Sequence, residues 1–164
     1  MKETNKEISY MNIPSNYYIS SGTGRSKYRL GAFDNALISA GISNYNLLRV
    51  SSILPAKCKQ KKNIQVKFGA PLLTAFASIS SNHKGEQISS CVAVGIPKNK
   101  DEIGVIMEYS DSASEEEVKQ ICKNMVEDAM QNHSIEIEDI IISSITGIVG
   151  DEEYLSLISA LAMW

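Results

Sequence analysis

Cysteine, histidine, unbroken apolar sequence and surplus positive charge are all scarce in this chain, and each scarcity removes a class of function. Three cysteines among 164 residues, Cys58, Cys91 and Cys122, are an odd number with no Cys-x-x-Cys pair, which argues against both a disulfide framework and a zinc site. The two histidines, His83 and His133, sit in polar stretches far from each other and from the cysteines, so no metal is expected. No apolar run approaches the roughly 20 residues that span a bilayer, and the opening MKETNKEISY has no apolar leader core. A cytoplasmic protein without membrane contact is expected. Sixteen Lys and Arg against nineteen Asp and Glu give a net charge of -3, which argues against a nucleic-acid partner, since duplex binders carry a concentrated basic face. The one basic run, Lys57, Lys59, Lys61, Lys62 and Lys67, reads as a solvated loop. The Walker loop, the GxSxG elbow and HExxH are missing too. Gly22-Thr23-Gly24 is only a GxG and reads as a mobile turn.

What is present is an ordinary core-forming composition, 43% hydrophobic and 21% charged over 164 residues, sufficient for one domain. Asn16 to Ser20 reads as a strand. Leu30, Phe33, Leu37 and Ala40 recur at helical spacing and predict one apolar face of a short helix closed by Gly41. Asn46 to Leu54 reads as a strand stopped by Pro55. Thr74 to Ser80 and Gln87 to Ile96 read as two strands joined by a hairpin-like turn at Ser81 to Glu86, and Ile103 to Tyr109 as another strand. Ser114 and Glu117 have capping-box spacing, and Val118, Ile121, Cys122, Met125, Ala129 and Met130 follow as the apolar face of a helix that serves as core. Asp139 to Val149 and Tyr154 to Met163 close the chain as strands. About seven strands and two helices without strict alternation predict an α+β fold.

Within this frame Ser51-Ser52 stands in an apolar stretch, Leu47-Leu48-Arg49-Val50 before it and Ile53-Leu54-Pro55 after. By composition the pair is unremarked, because Ser20-Ser21, Ser80-Ser81, Ser89-Ser90 and Ser143-Ser144 also occur. A serine hydroxyl held against the preceding carbonyl has a second use. It can convert that peptide bond to an ester, and β-elimination then cuts the chain and leaves a pyruvoyl ketone able to form a Schiff base with an amine.

The surroundings of the pair carry more. Gly31-Ala32-Phe33-Asp34-Asn35-Ala36-Leu37, then Ala40 through Pro55, then Val94-Gly95-Ile96-Pro97-Lys98 and Gly104-Val105-Ile106-Met107-Glu108-Tyr109, together resemble the pyruvoyl-dependent arginine decarboxylases in order and spacing. The likeness covers most of the chain. It is most specific over residues 31–55 and 94–109, and loose over the amino terminus, the Lys-rich loop and the last thirty residues.

The resemblance implies a layered αββα sandwich, self-cleaved at Ser51–Ser52 into a β chain (residues 1–51) and an α chain (52–164), with Ser52 the source of a covalent pyruvoyl cofactor and no metal. It implies decarboxylation of L-arginine to agmatine by a homotrimer of αβ units with active sites at subunit interfaces. Asn46 matches a processing asparagine whose amide can serve a developing oxyanion; its bland alternative is a strand-entry residue bonding its own backbone. Glu108 matches the general acid. Its apolar neighbours would raise its pKa by desolvation, although a solvent-facing strand glutamate is the plain reading. Asp34 matches the aspartate that faces the substrate guanidinium, a task suited to a carboxylate, and also reads as a solvated first-turn residue. Leu37 would line the aliphatic stem of arginine, or simply pack. Tyr45 departs from the family pattern beside Asn46, where its bulk would narrow the pocket. Two other outcomes stay open at this level: a pyruvoyl decarboxylase of another amino acid, and an unprocessed, non-catalytic relative.

Overall fold

Over residues 12–164, the span that the computed structural model describes, the chain runs β1 (Asn16–Ser26), α1 (Arg29–Ser39), β2 (Asn46–Arg49), β3 (Ile53–Leu54), β4 (Lys59–Gln60), β5 (Pro71–Ser81), β6 (Gln87–Pro97), β7 (Gly104–Asp111), α2 (Glu115–Asn132), β8 (Ile137–Ile148) and β9 (Tyr154–Met163). The leader expectation rests on the first ten residues, which lie outside this span. The strands form two sheets, ordered β2-β5-β9-β1-β4 and β3-β7-β6-β8. Helix α1 packs on the first sheet and α2 on the second, so the layers run α1, sheet, sheet, α2, the αββα sandwich expected.

Burial follows from strand alternation between covered faces. On β9, Leu157, Leu161 and Met163 enter the space between the sheets, while Ile158 and Ala160 face α1. On β6, Val92 and Val94 meet the opposing sheet, while Cys91 and Ala93 meet α2. Both strands therefore read as near-continuous apolar runs, since neither face sees water. Each large side chain so buried contributes about 1.5–3 kcal/mol of transfer free energy. The capping box of α2 is formed: Ser114 Oγ accepts from the Glu117 N–H, and the Ser114 N–H donates to Glu117 Oε2 at 2.9 Å. Its buried stripe is Val118, Cys122, Val126 and Met130, with Ile121 at the exposed margin.

Several expectations need correction. Gly22-Thr23-Gly24 is not a turn, because β1 runs through it to Ser26. The glycines serve close approach instead: a Cβ on Gly24 would strike the backbone of Ala32 and Ala36, and one on Gly22 the backbone of Ala36 and Ala40. The buried face of α1 is accordingly Ala32 and Ala36, continued by Ala40, while Leu30 is 77% exposed. Gly41 does close the helix, at φ +75°. Gly24→Ala is expected to destabilise the protein by about 2–4 kcal/mol, a fall of roughly 5–15 °C in Tm on a thermal melt.

The turn at Ser81 to Glu86 does not make a hairpin. Strands β5 and β6 belong to different sheets, and the turn hands the chain from one to the other. The Lys-rich segment is mostly exposed but not wholly a loop, since Lys59–Gln60 pairs in parallel with the start of β1. The stretch from Asn46 to Leu54 is likewise two strands rather than one. Strand β2 pairs with β5 in the first sheet and β3 with β7 in the second.

Candidate active site

That last break places the serine pair. The Val50 N–H still donates to the Thr74 carbonyl of β5 at 3.4 Å, whereas the Ser52 carbonyl already accepts from the Ile106 N–H of β7 at 2.8 Å. Residues 50–52 therefore cross from one sheet to the other, and the Ser51–Ser52 peptide bond lies in the crossing. Ser52 makes the crossing at φ +70°, a left-handed conformation that a side chain with a Cβ adopts at a steric cost.

Glu108 meets it from β7. Val105, Met107 and Tyr109 of this strand pack toward α2, and Ile106 packs between the sheets. Alternation turns Glu108 to the same side as Ile106, and Ser110, next on that side, donates to the Ser78 carbonyl of the opposing sheet at 3.2 Å. The Ser52 hydroxyl donates to the Glu108 carboxylate, 3.2 Å from Oε1 and 3.1 Å from Oε2. The Glu108 side chain is 17% exposed, and Arg49 Nη1 stands 4.0 Å from its Oε1. Burial raises the Glu108 pKa above the ordinary carboxyl value, and the Ser52 hydroxyl and Arg49 charge pull in the other direction. A carboxylate so placed can take the hydroxyl proton as Oγ turns on the Ser51 carbonyl, and its burial lets it hold a proton later.

Arg49 is a member of this site that the sequence did not single out, and Phe76 is the ring that carries it. The Arg49 guanidinium carbon lies 4.0 Å from the centroid of the Phe76 ring. The available signal was a cation two residues before the serine pair in an otherwise apolar stretch.

The other expected residues are not gathered here. Asn46 stands at the start of β2, exposed, and its amide donates to the Gly69 carbonyl at 2.7 Å. That is the backbone-bonding alternative, with the bond made to a neighbouring loop. Tyr45 packs edge-on against Phe68 with ring centroids 5.8 Å apart. Asp34 and Leu37 line a groove of about 610 Å³ on α1 with Tyr28, Leu30, Gly31 and Phe33, and Ser52 and Glu108 do not border it. Among the described residues, no cluster of three or more His, Cys, Asp or Glu is placed to hold a metal ion, and no helix is long and apolar enough to cross a membrane.

Comparison with known proteins gives a consistent result. The family model described as pyruvoyl-dependent arginine decarboxylase matches residues 16–164. A protein named pyruvoyl-dependent arginine decarboxylase from Methanococcus vannielii is 36% identical over 151 residues, 92% of this chain and 91% of the relative. Proteins of the same name from Methanocaldococcus jannaschii (34% identical, 84% of each chain) and Thermococcus kodakarensis (36% identical, 80% of this chain and 83% of the relative) are similar too.

Proposed function

The chain belongs to the pyruvoyl-dependent arginine decarboxylase family, and from that premise we propose that it cuts itself at Ser51–Ser52 and decarboxylates L-arginine to agmatine and carbon dioxide. The observation that carries the assignment to these residues is the Ser52 hydroxyl held on the Glu108 carboxylate, at a left-handed backbone position between two sheets. In the cut, Oγ bonds to the Ser51 carbonyl carbon and the peptide nitrogen is released. Elimination then breaks the Cα–H and Cβ–Oγ bonds, leaving that oxygen in a new Ser51 carboxylate. Water replaces the nitrogen, which departs as ammonia. Glu108 accepts the hydroxyl proton at the first step. Cutting also relieves the φ strain, because residue 52 ceases to have a tetrahedral Cα.

The pyruvoyl group derived from Ser52 would supply a ketone able to bind the substrate amine and draw electrons from its α-carbon. The residues around it do the rest. Glu108, whose burial raises its pKa and so favours the acid form, delivers its proton to the α-carbon after carbon dioxide leaves. Asp34 takes the guanidinium fork, and Leu37 borders the aliphatic stem. Asp34 lies in a groove whose apolar rim includes Leu30, 77% exposed, and Tyr28, 76% exposed. A homotrimer of αβ units would cover that rim and set it against the Ser52 site of a neighbouring subunit. Asn46 would act in processing by giving up its bond to the Gly69 carbonyl. Three free thiols accord with a reducing cytoplasm.

Intact mass under denaturing conditions tests the reading. Two species are expected, residues 1–51 and residues 52–164, the second lighter by one ammonia than simple hydrolysis would leave it. A single full-length chain after prolonged incubation would overturn it. Asp34→Asn tests the substrate. Cleavage stays complete while arginine turnover falls on the order of 100-fold, because a neutral amide leaves the guanidinium without its counter-charge; unchanged turnover would point to another amino acid.

A further inference from the structure

Glu108 faces opposite demands at two stages. In the uncut chain it must accept the Ser52 proton, which requires the carboxylate; in the cut chain it must donate one, which requires the acid. Two groups favour the carboxylate, the Ser52 hydroxyl and the Arg49 guanidinium. Only one outlasts the cut, since the Ser52 oxygen leaves in the Ser51 carboxylate. We infer that Arg49 is a positioning residue of this reaction, a cation clamped on Phe76 that fixes where the Glu108 carboxylate lies and how readily it exchanges its proton.

The clamp has two fixed ends. The backbone of Arg49 is held in parallel register with Thr74 on β5, and its guanidinium rests on Phe76 of the same strand at 4.0 Å. A guanidinium on an aromatic face keeps its hydrogen-bonding edge free. That edge reaches from the first sheet to Glu108 on the second. The other elements against Glu108 bring no competing charge. Val92 of β6 is its strand partner, and the link brings Ser52. On the α2 side of β7 the Cys122 thiol has its pKa raised by its hydrogen bond with Cys91 and by burial, and adds no charge there. Among the described residues Arg49 is thus the charged group that acts on this carboxylate.

The inference rests on the function proposed above, and its test is the pH dependence of arginine decarboxylation by self-cleaved Arg49→Gln beside the unchanged protein. Glu108 works in its protonated form, so activity is lost as pH rises through its pKa. Removing the cation raises that pKa, and the alkaline limb of kcat/KM moves up by about half to one pH unit. The shift is modest because the Arg49 side chain is 57% exposed and solvent already screens part of its charge. Arg49→Lys, which keeps the charge and loses the planar fork, returns part of the shift. Phe76→Leu keeps Arg49 but removes its platform, and moves the limb upward by less; it carries the test if Arg49→Gln fails to fold or mature. An alkaline limb that stays in place in the variants, or a drop in kcat without a displaced limb, overturns the inference. If the unchanged protein stays uncut, the functional reading itself fails. A cut and active protein with unmoved limbs refutes the role of Arg49 alone.

Discussion

Ser52→Ala is expected to leave one uncut chain with no measurable arginine decarboxylation, even after long incubation. Alanine has no hydroxyl to turn on the Ser51 carbonyl, so no ester forms, the peptide bond persists and no ketone arises. Loss of activity should be complete, because the substrate amine then has nothing to condense with. The fold should survive. Ser52 is only partly buried, and the hydrogen bond it loses ends on a carboxylate that Arg49 still faces. A change in Tm of only a few degrees is expected, within the range of ordinary single substitutions. Mass spectrometry and a melting curve on one preparation check both halves. A cut chain from this variant would move the scissile bond elsewhere, and a collapsed Tm would show that the crossing depends on the hydroxyl for its shape.

The second large effect is at Glu108. Glu108→Gln keeps the volume and can still accept the Ser52 hydrogen bond, but its amide neither takes up nor gives a proton at neutral pH. Two rates should fall together. Self-cleavage slows because the Ser52 proton has no acceptor, and decarboxylation by whatever fraction matures falls by about 100- to 10,000-fold, the usual contribution of a positioned acid or base. Following the uncut band with time gives the first rate. Measuring agmatine release per cut chain gives the second, free of the processing defect. Slow cleavage with normal turnover per cut chain would confine Glu108 to maturation. Normal cleavage with lost turnover would confine it to the decarboxylation step.

Why some of this was legible in the sequence and some was not comes down to what a linear pattern encodes. The capping box at Ser114 and Glu117 is a local device, set by residues three apart, and it forms as read. The spacing of α1 holds for Phe33, Leu37 and Ala40, which pack on the first sheet, and fails at Leu30, because the closest contact is made by small residues that a pattern of large side chains does not mark. The helix sits close on β1 through Ala32 and Ala36, against Gly22 and Gly24, and leaves Leu30 outside. The turn at Ser81 to Glu86 has the same composition whether its second strand returns to the same sheet or crosses to the other. Asn46 to Leu54 reads as one apolar run because nothing in it marks the positive φ of Ser52. In the site, Ser52 and Glu108 could be paired in advance only through resemblance to a family, since they are 56 positions apart. Arg49 went unremarked because a strand arginine ordinarily means a solvated edge, and its platform, Phe76, is brought to it only by the parallel pairing of β2 with β5.

The interleaving of the first sheet has a consequence for the proposed cut. Strand β1 lies between β4 and β9, paired with β9 from Tyr17–Met163 to Ser26–Tyr154, and β2 lies beside β5. A cut between residues 51 and 52 puts β1, α1 and β2 on one piece and every strand that they pair with on the other. The pieces are stitched through a shared sheet rather than abutted, so severing the backbone frees neither. Unfolding, however, changes its molecularity. One chain that reverts to one coil becomes a complex that comes apart into two, and its melting becomes sensitive to dilution as that of an obligate dimer is. Maturation of such a protein exchanges a covalent tether for mass action.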